Sequence, residues 1–199
     1  MNHLAHFKAG YPEPSLIAGG LLADHVKGRL KGVFPEPVER GIRLHRAIDA
    51  FADSHVVTRR SARRFSPPFR RYGSIMVDII YDHFLARHWD DFCEPPLTSF
   101  CDDVFEALDD KLIRSPGIPD ATQRVARRMI DHRSLEGYRD EPFIDRSLSW
   151  LGTRLRRENP LDRGFAEFDR HREELFGDFA LFYIDLEAFV AAWRADNEP

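Results

Sequence analysis

Apolar residues recur three and four positions apart along nearly the whole chain, and stretches that alternate with period two are scarce. That rhythm predicts helices rather than strands. A first helix opens at Pro14 and Ser15, runs through LIAGGLLADHVKG and stops near Gly28. FPEP, residues 34–37, interrupts the chain, and GIRLHRAIDAFADSH, residues 41–55, forms the next helix. SPPF breaks it again before GSIMVDIIYDHFLARHWDDF, the most apolar helix of the first half. Pro95 and Pro96 precede a helix from about Leu97 to Ile113. SPGIPD is a loop from which Asp120 caps ATQRVARRMIDHR by accepting bonds from its first free N–H groups. DEPFIDRSLSWLGTRLRRENP is helical until Asn159 and Pro160, and Leu161 to about Ala195 gives one long helix or two shorter ones. Within that tail, FALFYIDLEAFVAAW is apolar almost all round and predicts a core segment. No repeat, low-complexity tract or long linker divides the 199 residues, so the pattern predicts an all-α, single compact helical domain over residues 1–199, built like a bundle.

Composition supports a globular chain: 43% of residues are hydrophobic and 12% aromatic, with 16 Phe. A net charge of −4 excludes a global field that would attract nucleic acid. Locally the charge differs. TRRSARRFSPPFRRYG, residues 58–73, carries Arg59, Arg60, Arg63, Arg64, Arg70 and Arg71 with no acid among them. Lys27, Arg29 and Lys31 make a second basic cluster. The two cysteines, Cys93 and Cys101, have the spacing of neither a zinc ribbon nor a redox motif. The opening MNHLAHFKAGYPEPS lacks the apolar core of a signal peptide, and no apolar run approaches a membrane span. A soluble cytoplasmic protein is expected, without membrane or nucleic-acid partners.

The informative residues are polar ones in apolar surroundings. In residues 41–55, Ile42, His45, Ile48 and Ala52 share one arc of the helix. Asp49 lies at its edge one turn after His45, and Asp53 continues the row. In SIMVDIIYDHFLARHW, Asp78 and Asp82 are four apart and project among Ile75, Ile79 and Leu85, with His83 next in line. An uncompensated buried carboxylate costs several kcal/mol, and two neighbours repel. Something positive must offset them: an arginine network, with Arg43 and Arg46 as candidates, or a divalent metal. Asp24 in LLADHVKG and the histidines His3 and His6 of MNHLAHF add further candidate groups. Imidazole with carboxylate suits zinc, manganese or iron, and oxygen-rich sites lean toward magnesium or manganese. Such a site lowers the pKa of a bound water and polarises a phosphoryl oxygen. GxSxG, GxxxxGK[ST] and HExxH are all absent. An all-α metal-dependent phosphohydrolase is the enzyme class these residues fit.

MNHLAHF, LLADHVKG, GIRLHRAIDAFADSH and DIIYDHFLARHW, in that order over roughly the first 90 residues, resemble the acyl carrier protein phosphodiesterases. The resemblance implies an HD-domain-like bundle, dependence on Mn²⁺ or another divalent ion such as Mg²⁺, and release of 4′-phosphopantetheine from holo acyl carrier protein. It carries Asp24 over as the family's essential acid, a metal ligand or the base that orients the attacking water. His45, Asp49, Asp78 and Asp82 become the remaining metal shell, and His6, matching the family's N-terminal LAH, is grouped with the catalytic residues. His83 becomes a ligand or the proton donor to the leaving serine oxygen. Acyl carrier proteins are acidic, so Arg59, Arg60, Arg63, Arg64, Arg70 and Arg71 become the docking patch. The chain departs from the family pattern at Gly20, where Asn is common, and at Ala52, where Thr is common. The His-Asp dipeptide of HD proteins is replaced by His45-Arg46 and the reversed Asp82-His83. A phosphohydrolase of a nucleotide or other small phosphoester, and a non-catalytic helical module whose acids are held by arginines, remain the competing readings.

Overall fold

The computed structural model describes residues 2–198. Its α-helices are α1 (His3–Gly10), α2 (Pro14–Leu22), α3 (Glu36–Ser54), α4 (Val56–Arg64), α5 (Gly73–Arg87), α6 (Trp89–Phe92), α7 (Leu97–Leu108), α8 (Asp120–Asp131), α9 (Glu141–Arg154), α10 (Gly164–Arg170) and α11 (Arg172–Asp196). No strand occurs among the described residues, so the fold is all-α. None of these helices is long and apolar enough to cross a membrane.

Several boundaries differ from the sequence pattern for local reasons. The helix at residues 41–55 begins earlier, at Glu36. Pro35 is its N-cap and Pro37 sits in the first turn, where a proline loses no intrahelical bond. FPEP therefore starts this helix. The apolar helix ends at Arg87 because His88 leaves helical geometry, with φ −110° and ψ 30°, and α6 follows separately. Asp120 is the first residue of α8 and makes no capping bond, since Pro119 holds the cap position; its charge still favours the helix dipole. α9 stops at Arg154, and Asn159 folds back to donate from Nδ2 to the Gly152 carbonyl at 2.9 Å.

Two devices place the first three helices. α2 and α3 cross in backbone contact at Gly19 and Gly41: a Cβ on Gly19 would stand 2.3 Å from the Val38 oxygen, and one on Gly41 2.6 Å from the Leu16 oxygen. The loop after α2 turns through Gly28 at φ +77°, a conformation that favours glycine. Arg46 of α3 holds that loop by donating to the carbonyls of Val26 and Gly28, each at 2.8 Å. The end of α2 is thereby fixed beside the middle of α3.

α1 is held by α5. Asn2 makes no side-chain capping bond, and the free N–H groups of Leu4 and Ala5 donate instead to Asp82, at 2.7 and 3.3 Å. The carboxylate thus caps the helix from another element.

The tail forms core along one face only. Phe179, Phe182, Tyr183 and Leu186 are buried, and Phe179 packs against Tyr81, Phe84 and Phe92, whereas Leu181 and Ile184 are exposed. Asp178 of α11 is also buried. It accepts from Arg60 at 2.6 Å, from Arg64 at 2.6 and 3.0 Å and from Ser61 at 2.8 Å. Burial by itself would raise the Asp178 carboxyl, but these donors more than offset it and hold it below its ordinary value. Its stabilisation is therefore complete above the unfolded carboxyl value of about 4 and is lost as pH falls through the lower folded value. Asp178→Asn is expected to cost about 2–3 kcal/mol at pH 7, less than a fully buried pair because both arginines reach solvent. Thermal melts should show a fall of roughly 5–10 °C. The gap to wild type should narrow in acid; an equal gap at every pH would mean that the ion pairs contribute nothing.

Candidate metal centre

α1 and α3 bring two imidazoles and a carboxylate together. His6 Nε2 stands 3.1 Å from Asp49 Oδ1, and His45 Nε2 stands 3.1 Å from Asp49 Oδ2. The His6 and His45 rings stack at 3.8 Å and 13°. One ligand atom from each of His6, His45 and Asp49 lies within 4.8 Å of the other two, a possible metal-binding triad. Neighbouring donors around an octahedral ion bound at about 2.1 Å stand about 3 Å apart, close to the two imidazole–carboxylate distances.

The electrostatics suit a cation. Burial, reinforced by His45, pushes the His6 imidazole down to about 3 against the pull of Asp49, so at neutral pH its ring carries a free lone pair. His6 Nδ1 and His45 Nδ1 are buried without a hydrogen-bond partner among the described residues, and His6 Nε2 faces Asp49. Orphaned buried nitrogens are costly, and an ion would satisfy one on His6. Burial would raise the Asp49 carboxyl, but the His45 and His6 imidazoles against it more than offset this and keep it ionised. Burial raises Asp78, and the charges of Asp49 and Asp53 raise it further. The residues present therefore fit a bound metal.

The other expected site residues are distributed around this centre. Asp24 is exposed, with Oδ1 3.6 Å from His45 Nε2 and Oδ2 3.8 Å from His3 Nδ1. Asp78 lines a narrow cleft of about 40 Å³ with Asp53, Thr58 and Arg59. Asp82 is fully buried, and its oxygens accept from the start of α1; burial is the main reason its carboxyl is pushed up to about 7. His6, grouped by resemblance with the catalytic residues, supplies a ligand atom of the triad. His83 is fully buried, with Nδ1 2.7 Å from the Tyr138 carbonyl and its ring against Phe84 and Phe168. Being next to Asp82 in a helix turns it to a different face, toward the core.

The arginines separate into two sets. Arg60 and Arg64 are committed to Asp178. Arg59, Arg63, Arg70 and Arg71 are exposed; Arg59 and Arg70 donate to the carbonyls of Asp53 and Phe65, and none of the four has an ion-pair partner among the described residues. Arg46 binds carbonyls, and Arg43 pairs with Glu36 and Glu39, so neither neutralises the aspartates. The arginine network considered above is absent at these positions.

A family model described as acyl carrier protein phosphodiesterase matches residues 1–186. Proteins named acyl carrier protein phosphodiesterase are similar over most of their length. That of Yersinia pestis is 32% identical over 183 residues, covering 92% of this chain and 94% of the relative. That of Serratia proteamaculans (strain 568) is 34% identical over 183 residues, with the same coverage. That of Klebsiella pneumoniae (strain 342) is 31% identical over 186 residues, again with 92% and 94% covered. No solved structure matches the chain.

Proposed function

The chain belongs to the acyl carrier protein phosphodiesterase family, and we propose that it hydrolyses the phosphodiester joining 4′-phosphopantetheine to a serine of holo acyl carrier protein. The observation that carries this reading is the convergence of His6, His45 and Asp49 on one point beside the exposed carboxylate of Asp24. His6, His45 and Asp49 would hold a divalent ion, Mn²⁺ by the family resemblance. Bound there, the ion supplies a more acidic water and a polarised phosphoryl oxygen.

The chain's own residues do the rest. Asp24 has solvent access and no hydrogen-bonded donor among the described residues, so it can accept the proton of the attacking water. His3 Nδ1 stands 3.8 Å from its second oxygen. As the water oxygen bonds to phosphorus, the bond to the serine oxygen breaks, and that oxygen leaves with the proton that Asp24 took from the water. Asp78, in the cleft with Asp53 and Arg59, would add negative charge near a bound cation. Asp82 acts at one remove by holding α1, and hence His6, in place. Arg59, Arg63, Arg70 and Arg71 present unpaired positive charge to an acidic carrier, and Arg59 reaches the cleft that holds Asp78.

Incubation of the Mn²⁺-loaded protein with holo carrier protein should lower the carrier's mass by one phosphopantetheine. An unchanged mass would refute the activity. Arg59→Ser with Arg63→Ser should lower kcat/KM on the carrier roughly tenfold at low salt and much less at high salt. A salt-independent loss, or none, would favour a small phosphoester substrate. These two positions are chosen because neither is tied to Asp178, so the fold is left intact.

A further inference from the structure

Three depressions share walls along one side of the molecule. The cleft holding Arg59 and Asp78 adjoins, through Asp78, a cavity of about 310 Å³ that also contains His3 and Trp150. Through His3 and Trp150 that cavity adjoins a larger one of about 660 Å³, which has Asp24 in its wall. The sequence of walls therefore runs from Arg59, past Asp78 and His3, into the large cavity beside Asp24. We propose that this large cavity, between the end of α2 and helices α8 and α9, receives the pantetheine arm while the carrier protein sits at the Arg59 end. The assignment rests on the phosphodiesterase reading and extends it to residues that have no place in the metal centre.

The lining matches the arm's chemistry. Pantetheine is uncharged, with a gem-dimethyl group and methylenes separated by two amides and a hydroxyl. Val125, Met129 and Trp150 offer apolar surface, and Arg128, Arg146 and Ser134 offer donors for amide carbonyls. Arg128 and Arg146 are exposed and have no ion-pair partner among the described residues. A mostly apolar wall with a few convergent polar groups, at this volume, is the usual make-up of a small-molecule site. Direction decides between cavities as well. Two others, about 460 Å³ between α1 and α11 and about 310 Å³ beside Tyr11 and Asp103, have neither Asp24 nor Asp78 in their walls. An arm bound there would not thread past the reacting phosphorus.

Trp150 gives a direct readout, since it is exposed at the junction of the two cavities. Titration of the wild-type protein with pantetheine up to about 10 mM should give a saturable change in tryptophan fluorescence. Trp150→Phe should remove the change. Arg128→Glu with Arg146→Glu, both at exposed positions, should weaken binding about tenfold or more and raise KM for holo carrier by a similar factor. Melting curves matching wild type will confirm that the double variant is folded. A wild type that hydrolyses holo carrier but gives no saturable response overturns the pocket and leaves the activity standing, as does a double variant that binds and turns over like wild type. Absence of hydrolysis by the metal-loaded wild type overturns the activity itself, whatever the fluorescence does.

Discussion

His45→Ala is expected to abolish hydrolysis and to weaken divalent-metal binding by more than about a hundredfold. Loss of an outer partner of a metal ligand costs 10–100-fold, and a ligand should cost at least that much. His45 touches three groups of the centre: its Nε2 faces Asp49 at 3.1 Å and Asp24 at 3.6 Å, and its ring supports that of His6. Truncation removes a ligand atom and the surface that orients a second one. The substitution should leave the fold standing, because the core contacts of α3 are made by Leu44, Ile48 and Ala52. Activity assays and equilibrium dialysis check the two effects separately. Wild-type metal affinity together with lost activity would move His45 from the metal to the substrate.

Asp82→Ala should destabilise the protein by about 2–4 kcal/mol, since it strands two buried backbone donors at the start of α1. A melting temperature lower by roughly 5–15 °C follows. The sign in metal-free protein separates the two roles open to this residue. A ligand carboxylate held near other acids is a burden without its ion, so removing it would raise the melting temperature. A cap is needed with or without the ion, so removing it lowers the temperature in both states. The account predicts the second outcome. It further predicts weaker metal binding by Asp82→Ala, because His6 lies in the helix that Asp82 secures. An unchanged or higher melting temperature in the metal-free variant would return Asp82 to the ligand shell.

The helical class and the His45–Asp49 pair were legible in the sequence because both are local. Helical periodicity records which face is buried, and a separation of four puts two side chains on one face. What faces them is not local. Asp78 and Asp82 share the same spacing, yet Asp82 meets the N-terminus of α1, a contact across 78 residues. Asp82 and His83 are adjacent, but one helical step carries them to different surroundings. Arg60 and Arg64 read as free surface charge because their partner, Asp178, lies more than 110 residues later. The arginines of the large cavity belong to α8 and α9, beyond the motifs of the first 90 residues, and stand on polar helix faces with no distinguishing pattern. Helix ends followed the same division. Pro37 in a first turn and Asn159 folding back to Gly152 depend on three-dimensional detail that proline and asparagine alone do not specify.

The account depends on an ion bound by His6, His45 and Asp49. Calorimetric titration of chelator-stripped protein with Mn²⁺ tests it most directly, with wild type, His6→Ala, His45→Ala and Asp49→Ala measured side by side. The account predicts saturable binding by the wild type and its loss in all three variants. A wild type that takes up no manganese, magnesium or zinc, or three variants that bind as the wild type does, would contradict it.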